Sequence, residues 1–251
     1  MSTTQSIVEA RLIGRPYRYF ETVTSTMDAA REWIAQGAPD RAIVIAGSQS
    51  AGRGRIGRKW VNAGASALAF SQILRLETAA LPQLPMYGGL AVYEALNALH
   101  VPDLMLKWPN DILIGTRKVS GVLVETAWDG DRLNGAILGI GLNISGSFGS
   151  PDLAESATSL ADVPGTGLGY GVVLSALIER LDARHPDLGT SRLYDAWHTR
   201  LGTIGRRVRV EGSPAFEGIA EDVNEIGALL VRSDDGQLRT VLAGDVRVRP
   251  A

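Results

Sequence analysis

Gly52-Arg53-Gly54-Arg55-Ile56-Gly57-Arg58-Lys59-Trp60 follows directly on Ala42-Ile43-Val44-Ile45-Ala46, an apolar run of buried-strand length. Gly52 to Gly57 matches the pattern GxGxxG. A dinucleotide loop, however, opens straight into an apolar helix and holds pyrophosphate on backbone N–H groups. This one runs into Arg58-Lys59-Trp60 and a small-residue stretch before a second apolar run, Ala67 to Leu76. A P-loop fails as well, because Arg58-Lys59 stands where Lys-Ser/Thr is required. What remains is a loop between two strands. Its glycines permit close backbone approach, and Arg53, Arg55 and Arg58 offer forks to phosphate or carboxylate, each contact worth about 1.5–3 kcal/mol. Three like charges in one loop repel, so the loop is expected to be disordered without an anion.

The chain has 25 lysines and arginines, and the lysines are only Lys59, Lys107 and Lys118. Ammonium and guanidinium are not interchangeable, so a lysine kept against an arginine bias marks a site that uses a point charge. Lys107 ends a short apolar run and opens Lys107-Trp108-Pro109-Asn110-Asp111. Pro109 forces Trp108 out of helical dihedrals, and Asn110 and Asp111 are expected to face outward, suited to orienting a phosphate, a metal or an amine. Lys118 opens Lys118-Val119-Ser120-Gly121, followed by Leu123 and Glu125. Gly121 is expected to leave room for a ligand to lie on the sheet beside that lysine.

Outward from these segments the chain reads as α+β. Helical periodicity begins near Ser25, with Ser25 or Thr26 as cap, Asp28 in the first turn, and Gly37 and Pro39 as stop. A second helix spans Met86 to Leu99. Strands are predicted at Leu104 to Lys107, Asp111 to Ile114, Val119 to Thr126 and Asn134 to Ile144. Ser145 to Gly171, rich in Gly, Ser and Pro, reads as loop, and helical spacing returns at Leu174–Leu181 and near Trp197. Beyond Gly202 the texture becomes short strands: Arg206 to Glu211, Glu217 to Val223, Ala228 to Arg232 and Leu238 to Arg249, with turn chemistry at Asp234-Asp235-Gly236. The expectation is a helix-flanked mixed sheet over 1–202 and a small β-barrel over 203–251.

Composition removes other classes. There is no cysteine, so disulfides, thiolate metal sites and cysteine nucleophiles are excluded. His100, His185 and His198 lack zinc-ligand spacing. A net charge of −2 argues against nucleic-acid binding by bulk electrostatics. With no signal-peptide pattern at Met1 to Ala10 and no membrane-length apolar run, the expected location is the cytoplasm.

Taken in order, the segments resemble the biotin–protein ligases, or biotin–[acetyl-CoA-carboxylase] ligases, over nearly the whole chain. Ser25-Thr26-Met27 is similar to that family's Ser-Thr-x segment, Gln49 with Gly52–Trp60 to its GRGRxGRxW loop, and Lys107–Asp111 to its KWPND motif. Lys118–Glu125 is similar to its KxxGxLxE strand, Gly139-Ile140-Gly141-Leu142-Asn143 to its GxGxN strand, and the final strands to its SH3-like C-terminal domain, with Ala243-Gly244-Asp245 at the matching turn.

The resemblance implies ATP- and Mg²⁺-dependent activation of biotin to biotinyl-5′-AMP with release of pyrophosphate. Transfer to one lysine of a biotin carboxyl carrier protein, or of the carrier domain of a biotin-dependent carboxylase, follows. It implies Lys118, Arg55 and Asp111 as catalytic residues. Ser25, Thr26, Met27, Gln49, Arg53, Gly54, Arg55, Lys118 and Gly121 would contact biotin or its adenylate. Arg55, Arg58, Trp60, Lys107, Asn110 and Asn143 would contact ATP or its phosphates, with Mg²⁺ on those phosphates. Two departures stand out. The Ser-Thr segment begins at Ser25, which leaves no room for the DNA-binding domain of some members, so no DNA partner is expected. Glu155 to Leu160 lacks the tryptophan on which some members stack adenine, leaving Trp60 or Trp108 as substitutes. Lipoate–protein ligase and a non-catalytic small-ligand sensor are the alternative functions; monomer and homodimer both remain open.

Overall fold

A computed structural model of the chain describes residues 2–60, 66–146, 148–149, 151–211, 214–242 and 246–248. A seven-stranded sheet runs in the order β1-β2-β3-β7-β6-β5-β4. Its strands are β1 (Tyr17–Val23), β2 (Ile43–Gln49), β3 (Ser66–Leu74), β4 (Leu104–Lys107), β5 (Asp111–Ile114), β6 (Arg117–Asp129) and β7 (Arg132–Ser145). β1 and β2 pair in parallel around the crossover helix α2 (Thr26–Ala35), and the other pairs are antiparallel. The fold is α+β, as expected.

The helices divide between the two sheet faces. α3 (Leu84–Ala98) and α5 (Tyr170–Arg184) belong to the larger core with Ile43 and Ile45 of β2 and Leu138, Ile140 and Leu142 of β7. α2 packs on the opposite face with Val44, Ile73 and Ile137. The period-two alternation of a strand explains the division. Leu138, Ile140 and Leu142 point to α3, and the residues between them, Gly139 and Gly141, lie on the α2 face. α2 starts where its sequence says: Ser25 is the N-cap, its hydroxyl accepting from the Met27 N–H at 3.2 Å, and Asp28 lies in the first turn.

The segment before Ser25 brings a correction. α1 (Thr3–Arg11) and β1 precede the first helix expected. α1 buries only Val8 along its length, so it has almost no apolar stripe to detect. β1 is an edge strand of partly buried and exposed residues, without the apolar run of a central strand. Ser145–Gly171 is also more structured than a loop. It contains α4 (Pro151–Ser156), and Thr158, Ser159 and Leu160 are buried, with the Thr158 N–H donating to the Lys118 carbonyl at 2.9 Å.

α6 (Ser191–His198) leads to a second, five-stranded antiparallel sheet in the order β11-β10-β9-β8-β12. Its strands are β8 (Arg207–Val210), β9 (Phe216–Val223), β10 (Leu229–Ser233), β11 (Leu238–Val241) and β12 (Val246–Val248). The single strand expected from Leu238 to Arg249 is thus two, pairing with β10 and β8 respectively. The turn Ala243-Gly244-Asp245 lies outside the described residues. This small sheet is bound to the large one. The Gly202 N–H donates to the Leu106 carbonyl at 2.9 Å, the Trp108 N–H to Thr203 Oγ1 at 2.9 Å, and the Trp108 Nε1 to the Gly227 carbonyl at 2.7 Å.

Candidate active site

One cleft on the α2 face gathers segments far apart in sequence. Ser25, Thr26 and Met27 line it from the start of α2, Gln49 from the end of β2, and Arg53, Gly54, Arg55, Arg58, Lys59 and Trp60 from the loop. Lys107, Asn110 and Asp111 come from the β4–β5 turn, and Lys118, Gly121, Gly139 and Gly141 from β6 and β7. All three lysines of the chain therefore meet at one place. Among the described lining residues Arg53, Arg55, Arg58, Lys59, Lys107 and Lys118 are cationic and Asp111 alone is acidic. Such a surplus in a concave site favours a polyanion.

The floor is built by glycines. A Cβ at Gly141 would overlap the Trp60 ring, and one at Gly139 would come within 2.8 Å of Met27 Sδ. These two of the three glycines of β7 are the seats of those side chains. At Gly121 the expectation of open room is corrected: Lys118 lies over it, its Nζ 2.7 Å from where a Cβ would stand. That folding back places Lys118 Nζ 2.5 Å from Asp111 Oδ1 and 5.9 Å from the centre of the Trp60 ring.

Asn110 and Asp111 do not face outward. Asn110 is buried, its Nδ2 donating to the Val122 carbonyl and its Oδ1 accepting from Arg55 Nη1 at 3.1 Å. Asp111 is opposite Lys107 in the β4–β5 ladder and opposite Gly121 in the β5–β6 ladder. Its Oδ2 lies 3.7 Å from Lys107 Nζ. Lys107 thus reaches the carboxylate from directly across the ladder, and Lys118 by folding over Gly121.

At the other end of the cleft, Gln49 Oε1 accepts from the Thr26 N–H at 2.8 Å and from Thr26 Oγ1 at 3.2 Å. Thr26 Oγ1 in turn accepts from the buried Ser71 hydroxyl at 2.8 Å. Ser71 was not anticipated, although Ser71-Gln72 is a polar pair inside an otherwise apolar strand.

The loop is a short hairpin with one turn of 3₁₀ helix, Arg55–Gly57, at its tip. It closes through the Gly54 N–H to the Arg58 carbonyl at 2.7 Å and the Trp60 N–H to the Gly52 carbonyl at 3.0 Å. One of its arginines is held by carboxylates. Arg53 lies 2.8 Å from Asp28 Oδ1 and forks onto Glu125, and the hydrogen bonds to Asp28 and then Glu125 raise its pKa above the ordinary arginine value. Two further expectations change. Trp108 is fully buried and offers no face for adenine. Asn143 is not among the residues that line the cleft; it is buried, its Nδ2 donating to the Thr158 carbonyl at 3.1 Å.

The arrangement resembles known proteins throughout. Residues 19–143 match the model of the biotin/lipoate A/B protein ligase family, and residues 203–249 that of the biotin protein ligase C-terminal domain. A biotin–[acetyl-CoA-carboxylase] ligase of Paracoccus denitrificans is 32% identical over 85% of this chain and 93% of its own. One from Mycobacterium tuberculosis is 31% identical over 93% and 90%. The structure of a biotin protein ligase from Aquifex aeolicus in complex with biotin and ATP superposes with a TM-score of 0.79 at 27% identity, covering 94% of this chain and 99% of that one. With the ordered motifs and the two-sheet architecture, these likenesses place the chain among the biotin protein ligases, the family to which it belongs.

Proposed function

We propose that this chain is an ATP-dependent biotin–protein ligase working in the cleft described above. In the first half-reaction a biotin carboxylate oxygen attacks the α-phosphorus of ATP. The α–β phosphoanhydride bond breaks, and biotinyl-5′-AMP and pyrophosphate form. In the second, the neutral amine of an acceptor lysine attacks the acyl carbon, AMP leaves, and the amine proton passes to a base. The observation that carries this reading is the convergence of Arg55, Arg58, Lys59, Lys107 and Lys118 with one carboxylate in a cleft whose other end is neutral and hydrogen-bonding.

Lys118 and Arg55 would stabilise charge growing on the phosphorus oxygens. Arg58, Lys59 and Lys107 would hold the β- and γ-phosphates. Ser25, Thr26 and Gln49 suit the polar end of biotin, and Met27 and Trp60 over their glycines its apolar body. Asp111 is the carboxylate within reach for the amine proton, and anionic substrate groups at Lys118 would relieve it of that partner. Asn110 positions Arg55, and Asn143 would act through the 157–160 segment. Mg²⁺ fits as part of the nucleotide substrate. Among the described residues no cluster of three or more His, Cys, Asp or Glu side chains forms a cage, and a magnesium site made of substrate phosphates with one carboxylate is usual.

Biotin protein ligases act on biotin carboxyl carrier proteins, and a carrier of that kind is the proposed acceptor. We place the boundary between catalytic and C-terminal units at Gly202, between α6 and the first strand of the second sheet. Among the described residues no helix is long and apolar enough to cross a membrane, and the cytoplasm is the proposed location. ATP–pyrophosphate exchange with biotin, lipoate or neither tests the reading. Biotin-dependent exchange supports it, lipoate-dependent exchange overturns the substrate, and no exchange in folded protein with Mg²⁺ favours the sensor.

A further inference from the structure

Glu125 lies in a motif strand but has no part in the chemistry above. Its surroundings give it one. Arg53 Nε and Nη2 donate to Glu125 Oε1 and Oε2 at 3.1 and 3.2 Å, and Arg53 Nη2 lies 2.8 Å from Asp28 Oδ1. On the far side Arg31 donates to the same Glu125 at 2.8 Å and to the Thr126 carbonyl at 2.9 Å. Two guanidiniums and two carboxylates thus tie α2, β6 and the loop together.

Arg53 sits at the base of the hairpin, bridged to Lys59, whereas Arg55 and Arg58 sit at its tip. A guanidinium already shared by two carboxylates has little charge left for a phosphate. We propose that Glu125, assisted by Asp28, is a positioning residue for adenylation: it grips Arg53 and so fixes the base of the hairpin from which Arg55 and Arg58 reach the substrates. Arg53 is then an anchor, and the loop's three arginines divide into one that holds and two that act. This inference rests on reading the cleft as the adenylation site.

The test is ATP–pyrophosphate exchange on the whole chain, titrating biotin and ATP separately, for wild type, Glu125→Ala, Glu125→Gln, Arg53→Ala and the Glu125→Ala/Arg53→Ala double variant. Losing the charged partner of a guanidinium should raise both KM values on the order of tenfold while kcat changes little, because the groups at the reacting atoms remain. Glu125→Gln, which keeps one acceptor oxygen, should lose less than Glu125→Ala. The double variant should be no worse than the poorer single one, since both remove the same contact. Unchanged KM in Glu125→Ala, or a double-variant loss equal to the product of the single losses, would overturn the proposal. Should Glu125→Ala fail to fold, Asp28→Asn weakens the same guanidinium and is read the same way. A ligand-free arm separates this inference from the ligase reading. Trypsin should cut after Arg55 and Arg58 faster in Glu125→Gln than in wild type, and equal rates would refute the grip whether or not wild type catalyses exchange.

Discussion

Lys118 Nζ lies 2.5 Å from Asp111 Oδ1, and the other oxygen of that carboxylate faces Lys107 Nζ at 3.7 Å. Lys118 stays partly open to solvent, so it belongs to the rim of the cleft and not to a packed core. Lys118→Ala should therefore keep the fold and lose activity on the order of 10²–10³-fold in the exchange rate, the size of effect seen when one preorganised donor to a developing charge is removed. Lys118→Arg should not restore it, because a planar fork cannot take the place of a folded-back ammonium over Gly121. Circular dichroism melts beside exchange rates check both points; a collapsed melt in Lys118→Ala would mean the residue is structural.

The division of labour proposed for Asp111 separates the two half-reactions. Asp111→Asn keeps the shape but cannot take a proton from an acceptor amine. Transfer of biotin from preformed biotinyl-5′-AMP to a carrier protein should fall more than exchange does. Equal losses in both would make Asp111 a partner of Lys118 alone.

Gly141 and Gly139 invite a graded comparison. Gly141→Ala drives a methyl into the Trp60 ring, a rigid neighbour, and Gly139→Ala meets the flexible thioether of Met27. Overpacking of this kind costs about 1–3 kcal/mol where nothing can move. Biotin affinity, read by calorimetry, should fall severely in Gly141→Ala and mildly in Gly139→Ala; the reverse order would remove Trp60 from the pocket wall.

These cases show what could be read along the chain and what could not. The cap at Ser25, the strand–loop–strand path around Gly52–Trp60 and the turn after Lys107 are local, set by side-chain chemistry within a few residues. Glu125 and Asp28 escaped notice as partners of Arg53 because nothing short of the folded sheet brings them together. Gly139 and Gly141 were visible as a pair on one strand face, but their meaning depends on Met27 and Trp60 arriving from elsewhere. Asn110 looked like a surface turn residue because its burial is made by Val122 and Arg55. α1 was hidden by its own polarity.

The buried indole of Trp108 ties the motif turn to the second sheet through the Gly227 carbonyl. Trp108→Phe removes the indole N–H and the smaller of its two rings, which leaves a cavity and strands that carbonyl; the unpaired carbonyl alone costs about 1–3 kcal/mol. Thermal stability should drop by that order, and because Asn110 and Asp111 follow on the same turn, biotin transfer should weaken as well. A destabilised variant with normal transfer would confine Trp108 to holding the two sheets together.

The same seam carries a pH-dependent contact. His198 Nε2 on α6 lies 2.6 Å from Asp222 Oδ1 on β9, and that bond, with the Val223 N–H, holds the Asp222 carboxyl below the usual carboxylate range. A depressed carboxylate pKa contributes stability that is fully present above the unfolded value of about 4 and is lost as pH falls through the lower folded value. Asp222→Asn should therefore melt below wild type at pH 6–7, and the gap should close as the pH is taken down past about 4. A gap that stays constant across that range would show that Asp222 contributes as a hydrogen-bonding shape and not as a charge.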